Sequence, residues 1–574
     1  MIGNKIRFVL WVVLVSFAFG LSIGCSSSSD LTDDATVDST SDANAKPGSD
    51  MNSNLDVEQD VLCNAECTTP GKQICNQAKT GYNVCGNHDS DPCLEWGEAI
   101  TCGAGQACEN GTCCTTDCTN RVCGPDPVCG ASCGSCSGAT FCNRQGQCVS
   151  APPEWAISVG SPVFNHGHSI AMGSSGDLYV TGTHSKGSRY GLLGGKILIA
   201  KLTGDGQFIW EQSPENGEGM DVAVDTSGKV YVTGLFTDQS TFGNTKLTAQ
   251  GATDIFVTKL SSTGQFEWVK QMGSTSSGYD KGNGIAVDAS GNVYVTGWFF
   301  EEVDFGSTTL TSKGGGDAFV VKLSSSGQFL WAKSAGGSGK IGADSGNKVA
   351  VDNLDNAFVV GQFSDAVDFG SISLIAKDRT MSDIFVTKLS PSGQFVWAVS
   401  AGGTSIDRGL DIAVDKSGNP FVTGLFNDVA DFGSTKLTTI GKNKIFLAKL
   451  SPAGQFLWAV SGGGGQSGAL FTSRDDSSVA LEATGDPYIT GSFFDTASFG
   501  STTLTGGFAV AKYASNGQFL WAESVNAYTS WGIDIDGNGY PYLIGDFSGT
   551  ATFGNTTLIA GSTENIFIWK MDPP

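Results

Sequence analysis

Charged side chains recur at fixed places in the carboxyl-terminal part of the chain, and they are the first candidates for chemistry. An acid ends the first apolar segment of nearly every repeat unit, at Asp225, Asp288, Asp352, Asp415, Glu482 and Asp536. A lysine falls near the end of the third segment, at Lys201, Lys259, Lys322, Lys388, Lys449, Lys512 and Lys570. Such rings could hold a metal or an anion. Recurrence in nearly every unit instead favours a structural role, with the acid accepting hydrogen bonds in a turn and the lysine forming a weak surface ion pair.

A second acidic set stands before the first segment of several units. It consists of Glu218, Asp280, Asp344 and Asp407. Binding residues tend to lie on irregular loops carried by a rigid scaffold, so this set is our candidate ligand face. The alternative is that these residues only shape the turn into the segment.

The sequence gives little sign of catalysis or of a cofactor. The run Asp534, Asp536, Asn538 matches the start of a calcium loop, but an EF-hand needs glutamate where Gly545 stands. There are four histidines and no nucleophile elbow, HExxH motif, Walker loop or dinucleotide fingerprint. We therefore expect no catalytic residues, metal or cofactor. A formal charge of −24 argues against a nucleic-acid partner, because phosphate binding needs a basic face.

These side chains must be positioned by a repeated element. The motif Gly-Gln-Phe-x-Trp ends at Trp210, Trp268, Trp331, Trp397, Trp458 and Trp521, and a degenerate copy lies at Trp155. Spacings of 55 to 66 residues are typical of a repeat architecture. In Phe456-Leu-Trp458 the two rings share one face of a strand, and we expect both to pack between neighbouring units.

Each unit contains four strand-like segments, A to D. In one unit they are Gly284–Asp288, Val293–Gly297, Ala318–Leu323 and Gly327–Trp331. Short glycine-bearing turns join A to B and C to D, so these pairs are predicted to be antiparallel hairpins. A longer excursion with a Phe-Gly pair joins B to C, which puts the B–C and D–A loops on one face. One unit is thus a four-stranded antiparallel sheet that must stack on its neighbours, as in a β-propeller.

The number of blades follows from segment B. It begins at Tyr179, Tyr231, Tyr294, Phe358, Phe421, Tyr488 and Tyr542, which predicts seven blades. The repeat region opens with a lone segment D at Trp155 and ends with a lone segment C at Ile566–Lys570. We therefore predict that Glu154–Val159 completes the last blade, closing the ring and removing a free edge.

Residues 151–574 resemble the bacterial seven-bladed β-propeller repeat family. The Ala-Val-Asp, Tyr-Val-Thr-Gly and Gly-Gln-Phe-x-Trp signatures carry this resemblance through their ordered recurrence. It implies an all-β fold of seven four-stranded antiparallel blades. It implies no activity, because the family is defined by its fold.

The amino terminus is typical of export. Lys5 and Arg7 precede an apolar run that ends at Cys25 with small residues before it, which resembles a bacterial lipoprotein signal. On that resemblance residues 1–24 are a signal peptide and Cys25 carries lipid, with an ordinary signal peptide as the alternative. Residues 26–62 hold nine acidic residues, one lysine and no aromatic, so residues 25–62 are predicted to be the lipidated cysteine and a disordered tether.

A cysteine-rich region follows the tether. After Cys25 the remaining cysteines are even in number, and export favours disulfides of unknown pairing over a zinc site at Cys133 and Cys136. The vicinal pair Cys113-Cys114 divides the region into modules at 63–113 and 114–148, the second of which resembles small modules on surface proteins of myxobacteria. The disulfide candidates are Cys63, Cys67, Cys75, Cys85, Cys93, Cys102, Cys108, Cys113, Cys114, Cys118, Cys123, Cys129, Cys133, Cys136, Cys142 and Cys148.

These features together predict a binding or adhesion scaffold at the cell envelope. A lipid anchor, a tether, two disulfide-rich modules and a broad rigid propeller would suit a monomeric outer-membrane lipoprotein that is exposed at the surface. The expected ligand is a protein or a glycan. The alternatives are a structural partner in envelope assembly and a hydrolase or lyase that acts on glycans at the loop face.

Overall fold

The computed structural model describes residues 154–160, 164–184, 195–275, 278–339, 344–439, 444–463, 476–561 and 563–574, together with eight short strands nearer the amino terminus. The signal peptide, Cys25 and the acidic tether lie outside the described residues, as do the side chains of the disulfide candidates. Lipidation and disulfide bonding therefore stay predictions.

The cysteine-rich region contributes short strands. Their bounds are Gln73–Cys75, Gly81–Gly86, Glu95–Trp96, Ile100–Thr101, Gln106–Glu109, Thr112–Thr115, Thr140–Cys142 and Cys148–Ser150. Two antiparallel hairpins among them place cysteine positions opposite each other, Cys108 with Cys113 and Cys142 with Cys148.

Most of the remaining strands form seven four-stranded antiparallel sheets. The innermost strands A are Asn165–Met172, Gly217–Val224, Lys281–Val287, Ser345–Val351, Arg408–Val414, Ser477–Leu481 and Thr529–Ile535. Strands B are Leu178–His184, Val230–Phe236, Val293–Phe299, Ala357–Ser364, Pro420–Phe426, Pro487–Phe499 and Pro541–Phe547. Strands C are Lys196–Leu202, Asp254–Leu260, Asp317–Leu323, Ser382–Leu389, Lys444–Leu450, Thr502–Tyr513 and Asn565–Lys570. Strands D are Phe208–Gln212, Phe266–Met272, Phe329–Ala335, Phe395–Ala401, Phe456–Gly462, Phe519–Val525 and Trp155–Val159.

Each strand A contacts the strand A of the next blade around a closed ring. The predicted seven-bladed propeller is therefore confirmed. The B–C excursions of five blades carry separate small hairpins, whose strands are Gln239–Phe242 with Thr245–Thr248, Glu302–Phe305 with Thr308–Thr311, Ala366–Phe369 with Ile372–Ile375, Val429–Phe432 with Thr435–Thr438, and Thr550–Phe553 with Thr556–Ile559. Blades are numbered 1 to 7 in the chain order of their A strands. In blade 6 the long strands B and C, Pro487–Phe499 and Thr502–Tyr513, extend directly into this hairpin.

The ring closes as the sequence predicts. Trp155–Val159 pairs antiparallel with Asn565–Lys570, from Trp155 opposite Lys570 to Val159 opposite Ile566. Glu154 reinforces the joint, because its side chain accepts hydrogen bonds from the Trp569 indole at 3.1 Å and the Asn555 amide at 3.3 Å. Blade 7 thus combines the two ends of the domain and leaves no unpaired strand C.

The motif tryptophans fasten each blade to the next. The Trp397 Nε1 donates to the Pro452 carbonyl in the following C–D turn at 3.0 Å. A Cβ added to Gly454 in that turn would lie 2.7 Å from the Trp397 ring, so only glycine lets the ring pack there. The same bond is made by Trp155, Trp210, Trp268 and Trp331.

The motif phenylalanines pack between blades, as expected, but not on the same face of the sheet as the tryptophans. Phe456 lies against Phe432 of its own B–C hairpin, with ring centroids 5.7 Å apart, in the cluster shared by blades 4 and 5, whereas Trp458 lies in the cluster shared by blades 5 and 6. Phe242 with Phe266 and Phe369 with Phe395 repeat this contact. Of the two motif rings, the tryptophan reaches the next blade and the phenylalanine covers its own hairpin. Among the described residues no helix is both long and apolar enough to span a bilayer.

Candidate functional site

A central cavity of about 670 Å³ lies where the seven A strands meet. Strand A carries a β-bulge in most blades, as the register shift between Gly219 and Asp221 illustrates in blade 2. The extra residue at the bulge faces the cavity. The cavity-lining bulge residues are His168, Met220, Asn283, Asn347, Leu410 and Trp531.

Buried aspartates in the cavity wall accept hydrogen bonds from neighbouring blades. Asp221 accepts hydrogen bonds from the Ser169 hydroxyl at 2.6 Å and from the Ile285 amide at 2.8 Å, so it links three successive blades. Asp411 accepts from the Val479 amide of the next blade at 2.9 Å. Asp534 accepts from the Met172 amide at 2.7 Å. These aspartates therefore stabilise the contacts between blades.

Lys348 reaches across a blade to complete this wall. Its Nζ lies 2.7 Å from Asp221, although the two residues belong to blades 4 and 2. Blade 3 has Gly284 at the equivalent place, where a Cβ would lie 2.8 Å from the Lys348 Cα. The missing side chain makes room for this ion pair. The charges of Asp221 and Asp411 outweigh burial and raise the pKa of Lys348.

Two further cations, Lys281 and Arg408, stand on the cavity wall beside polar and aromatic groups. Burial lowers the pKa of both, and the charge of Glu218 partly counters this for Lys281. Burial also raises the pKa of Asp476 on the same wall to about 8. In a chain with a formal charge of −24, this cavity is lined by three basic residues, Lys281, Lys348 and Arg408, and by two acidic ones, Asp411 and Asp476.

Aromatic and amide side chains complete the lining. Trp298 and Trp531 contribute indole rings, while Asn283, Asn347 and Gln362 contribute amides. Trp531 is held by its Nε1, which donates to Asp546 at 2.8 Å. The lining combines flat apolar surfaces with hydrogen-bonding groups, as in ligand sites of this size.

Asp546 also orders the adjoining histidine. The His166 Nδ1 lies 3.0 Å from Asp546, and the Gly167 amide donates to the same carboxylate at 2.9 Å. Burial works against a charge on His166, but the bond and charge of Asp546 raise its pKa. For His168, burial dominates and lowers the pKa. The ring of His168 meets that of Trp531 edge to face, with centroids 6.0 Å apart.

The structure separates the four residues of the predicted ligand face. Glu218 is half-buried and its charge acts on Lys281, which lines the cavity. Asp280, Asp344 and Asp407 are instead buried. Each accepts backbone hydrogen bonds from both the D–A loop and the end of strand B, as when Asp407 accepts from the amides of Gly403 at 2.7 Å and Asn427 at 2.9 Å. This placement agrees with the alternative role in shaping the turn.

The acids that end strand A cap the A–B turns, as the structural interpretation predicts. Asp288, for example, accepts from the amides of Ser290 at 3.0 Å and Asn292 at 2.8 Å. The paired lysines are less exposed than the predicted surface ion pairs. Lys322 is 7% exposed, 3.3 Å from Asp288 and 4.5 Å from the centre of the Tyr294 ring. Burial raises the pKa of Asp288, but hydrogen bonds from Asn292 and the charge of Lys322 hold it below its ordinary value.

The run that resembles the start of a calcium loop also caps an A–B turn. Asp536 caps its turn by accepting from the amides of Asn538 at 2.8 Å and Tyr540 at 2.9 Å. Asp534 points instead to the cavity wall. Within the described ranges, no three or more His, Cys, Asp or Glu side chains are grouped as metal ligands.

Sequence reasoning placed binding on the loops and missed the bulge residues of strand A. A bulge breaks the alternation of inward and outward side chains, so Asn283 and Leu410 cannot be assigned to the cavity from alternation alone. The available signal was a recurring glycine before the bulged position, as in Gly282-Asn283 and Gly409-Leu410.

The fold and repeat define a seven-bladed β-propeller protein. A family model described as a β-propeller repeat (SBBP) matches residues 267–298. The uncharacterized WD repeat-containing protein L264 of Acanthamoeba polyphaga mimivirus is 23% identical over 538 residues, covering 72% of this chain and 37% of that protein. The chain thus spans little more than a third of the length of this relative.

Solved structures are also similar to this chain. The Dos1 propeller has 10% identity and a TM-score of 0.36, covering 73% of this chain and 94% of its own. The WD40 propeller domain of Doa1 has 10% identity and a TM-score of 0.35, covering 73% and 96%. A protein of unknown function from Bacteroides caccae has 12% identity and a TM-score of 0.31, covering 60% and 93%.

Proposed function

We propose that this protein is a binding scaffold of the cell envelope whose central cavity takes an acidic glycan. The observation that carries the proposal is the pairing of Lys281 and Arg408 with the indole rings of Trp298 and Trp531 in one cavity. A guanidinium and an ammonium can bind a sugar carboxylate, and an indole ring can lie against the apolar face of a sugar.

The cavity suits a small charged group better than a neutral one. Lys281 and Arg408 are partly withdrawn from water, where a charge-assisted hydrogen bond is stronger than at the surface. The carboxylates of Asp221, Asp411 and Asp534 already accept backbone hydrogen bonds, so they compete little with the carboxylate of a ligand for Lys281 and Arg408. In this proposal the protein binds its ligand without chemical turnover.

The envelope location in this proposal comes from the amino-terminal sequence. A lipid on Cys25 and the acidic tether would hold the propeller near a membrane while leaving the loop face open to ligand. Adhesion would then follow from binding acidic glycans on a neighbouring surface.

Binding of an oligogalacturonate to the full chain tests the proposal. We expect Lys281→Ala with Arg408→Ala to weaken binding at least about tenfold, or ~1.4 kcal/mol, because both partners of the carboxylate are lost. The control is Lys246→Ala, which removes an exposed cation from a B–C hairpin. Equal binding of neutral and acidic oligosaccharides, or release of shortened products, would contradict the proposal.

A further inference from the structure

The central cavity is lined by only part of each strand A. In blade 5 the lining residues of this strand lie between Arg408 and Ile412, whereas the strand continues to Val414. In blade 7 the lining ends at Ile533, and strand A continues to Ile535. Strand A starts at the loop face and ends at the A–B turn, so the cavity lies in the half of the propeller nearer the loop face.

Charged side chains from four blades meet at the deep end of the cavity. The Lys348 Nζ reaches from blade 4 to Asp221 of blade 2, at 2.7 Å. The charges of Asp411 in blade 5 and Asp534 in blade 7 also act on this lysine. A side chain that starts on blade 4 and approaches acids on blades 2, 5 and 7 lies near the axis of the propeller. We call Lys348 and these three aspartates the floor, because they block the axis below the cavity.

The polar groups of the floor are bonded to one another or to their neighbours. Asp221 accepts from the Ser169 hydroxyl at 2.6 Å and from Lys348 at 2.7 Å. Asp411 accepts from the Ser478 hydroxyl and from a backbone amide of the same blade as Ser478. The floor therefore leaves few hydrogen bonds for a ligand, and polar recognition must occur nearer the loop face.

Above the floor, bulge residues of strand A form a recurring hydrogen bond between blades. In three blades the bulge side chain donates to the carbonyl of the glycine that precedes the bulge of the next blade. The bonds run from His168 Nδ1 to Gly219 at 2.8 Å, from Asn283 Nδ2 to Gly346 at 3.0 Å and from Asn347 Nδ2 to Gly409 at 2.8 Å. A carbonyl oxygen only accepts, so the nitrogen carries the hydrogen in each bond. The oxygen of each amide is therefore left as an acceptor.

Two of these side chains keep an acceptor for a ligand. Burial lowers the pKa of His168, so its ring is neutral at pH 7 and Nε2 carries a lone pair. Neither His168 Nε2 nor Asn283 Oδ1 has a hydrogen-bond partner in the part of the chain that the structure describes. By contrast, Asn347 Oδ1 accepts from the Ser345 hydroxyl at 2.9 Å. The two open acceptors belong to residues that line the cavity, where the hydroxyl groups of a sugar can donate to them.

The same level of the cavity also offers apolar surface. Met220, Leu410 and Trp531 occupy the bulge positions of three other blades. Lys281 and Arg408 stand nearer the loop face, because each is the first residue of its strand A. The cavity is thus ordered by depth, with cations at its mouth, acceptors and apolar side chains at the level of the bulges, and a closed floor beneath them.

We propose that the cavity, in the proposed function on which this inference rests, binds the end of an acidic glycan chain. The terminal residue enters between the bulge side chains, where His168 and Asn283 accept hydrogen bonds from its hydroxyl groups. Lys281 and Arg408 hold a carboxylate at the mouth. An interior residue of a glycan continues into chain on both sides, and the floor leaves that chain no exit, so only a terminus reaches the level of the bulges.

Counting binding sites on one polymer before and after partial hydrolysis tests this proposal. Calorimetric titration of the full chain with long polygalacturonate, and with a partial hydrolysate of the same material, gives the number of sites per gram. We expect this number to rise in proportion to the number of chain ends. A number that stays constant per gram would overturn the inference and leave the proposed function in place, whereas no binding of either preparation would contradict both.

A histidine variant tests the role of the bulge level. Tetrahydropyran-2-carboxylate has the ring and the carboxylate of a uronate but none of its hydroxyl groups. We expect His168→Phe to weaken binding of galacturonate about fivefold, because one hydrogen bond is lost, and to leave binding of the hydroxyl-free analogue unchanged. The control is His184→Phe, a change of the same kind in strand B of the same blade and outside the cavity lining, which should alter binding of neither ligand.

Ligand-observed NMR measures both affinities, and thermal unfolding confirms that each variant is folded. An equal loss for both ligands in His168→Phe, or no preference of the wild type for galacturonate over the analogue, would overturn the assignment of His168. If His168→Phe does not fold, the preference of the wild type and the count of chain ends decide the proposal.

Discussion

At the scale of single residues, the motif tryptophan contributes more to the contact between blades than its half-buried position suggests. The Trp397 ring packs on Gly454 and its Nε1 bonds to the Pro452 carbonyl, so one side chain fastens two blades. The glycine and the tryptophan belong to successive copies of one motif. A repeat therefore specifies its own interface, because each copy provides the ring for one neighbour and the turn for the other.

We expect Trp397→Ala to lower the free energy of unfolding by about 3 kcal/mol, since it removes the ring from the turn of the next blade. Trp397→Phe retains an aromatic ring but loses the indole hydrogen bond, and should lower it by about 1 kcal/mol. Denaturant titration of the full chain checks both values. Equal effects of the two variants would contradict this account of the interface.

His166 on strand A and His184 on strand B of blade 1 should affect stability with opposite dependence on pH. The pKa of His166 is raised in the folded chain, so its contribution is fully present below about pH 6.5 and is lost as the pH rises through the folded pKa. The groups that act on it are Asp546, Glu564 and Glu218. Burial lowers the pKa of His184, opposed by Glu211 and aided by Lys196, so its contribution grows as the pH rises.

Urea titration of His166→Gln and His184→Gln between pH 5.5 and 8.5 measures these contributions. The stability difference from the wild type should shrink with pH for His166→Gln and should increase with pH for His184→Gln. Each variant acts as the control for the other, because both remove one imidazole from blade 1. A change in the same direction for both would refute the assignment.

At the scale of elements, strand A forms part of the blade and also lines the cavity through its bulge. The sequence predicts the first role but not the second. Its place in the blade follows from the recurring Ile-Ala-Val-Asp pattern, and the structure confirms the strand and its hairpin. Its bulge was not predicted, because one extra residue leaves the local composition unchanged and only long-range pairing defines the register. The cavity residues Asn283, Asn347 and Leu410 were missed for that reason, although the strands that carry them were found.

The closing strand is the element on which the ring depends most directly. A variant that begins at residue 151 retains Trp155–Val159, whereas one that begins at residue 161 exposes the edge of Asn565–Lys570. We expect the shorter variant to unfold at lower temperature and to self-associate, because an unpaired strand edge can pair with another chain. Thermal unfolding and size-exclusion chromatography compare the two. Similar melting and elution would contradict the role of this strand.

At the scale of the whole molecule, the sequence predicts the propeller more firmly than it predicts the membrane anchor. The propeller could be predicted because its motifs recur up to seven times, while the prediction of an anchor depends on one cysteine and a short apolar run. We expect the full chain to fractionate with membranes and Cys25→Ala to be found in the soluble fraction, because the lipid would be attached only through that thiol. The matched control is Ser27→Ala, two residues beyond the attachment point. Retention of Cys25→Ala on membranes would show that a contact other than the lipid holds the chain there. Electrostatic binding to anionic lipid is an unfavourable alternative to the lipid anchor, because the tether is acidic.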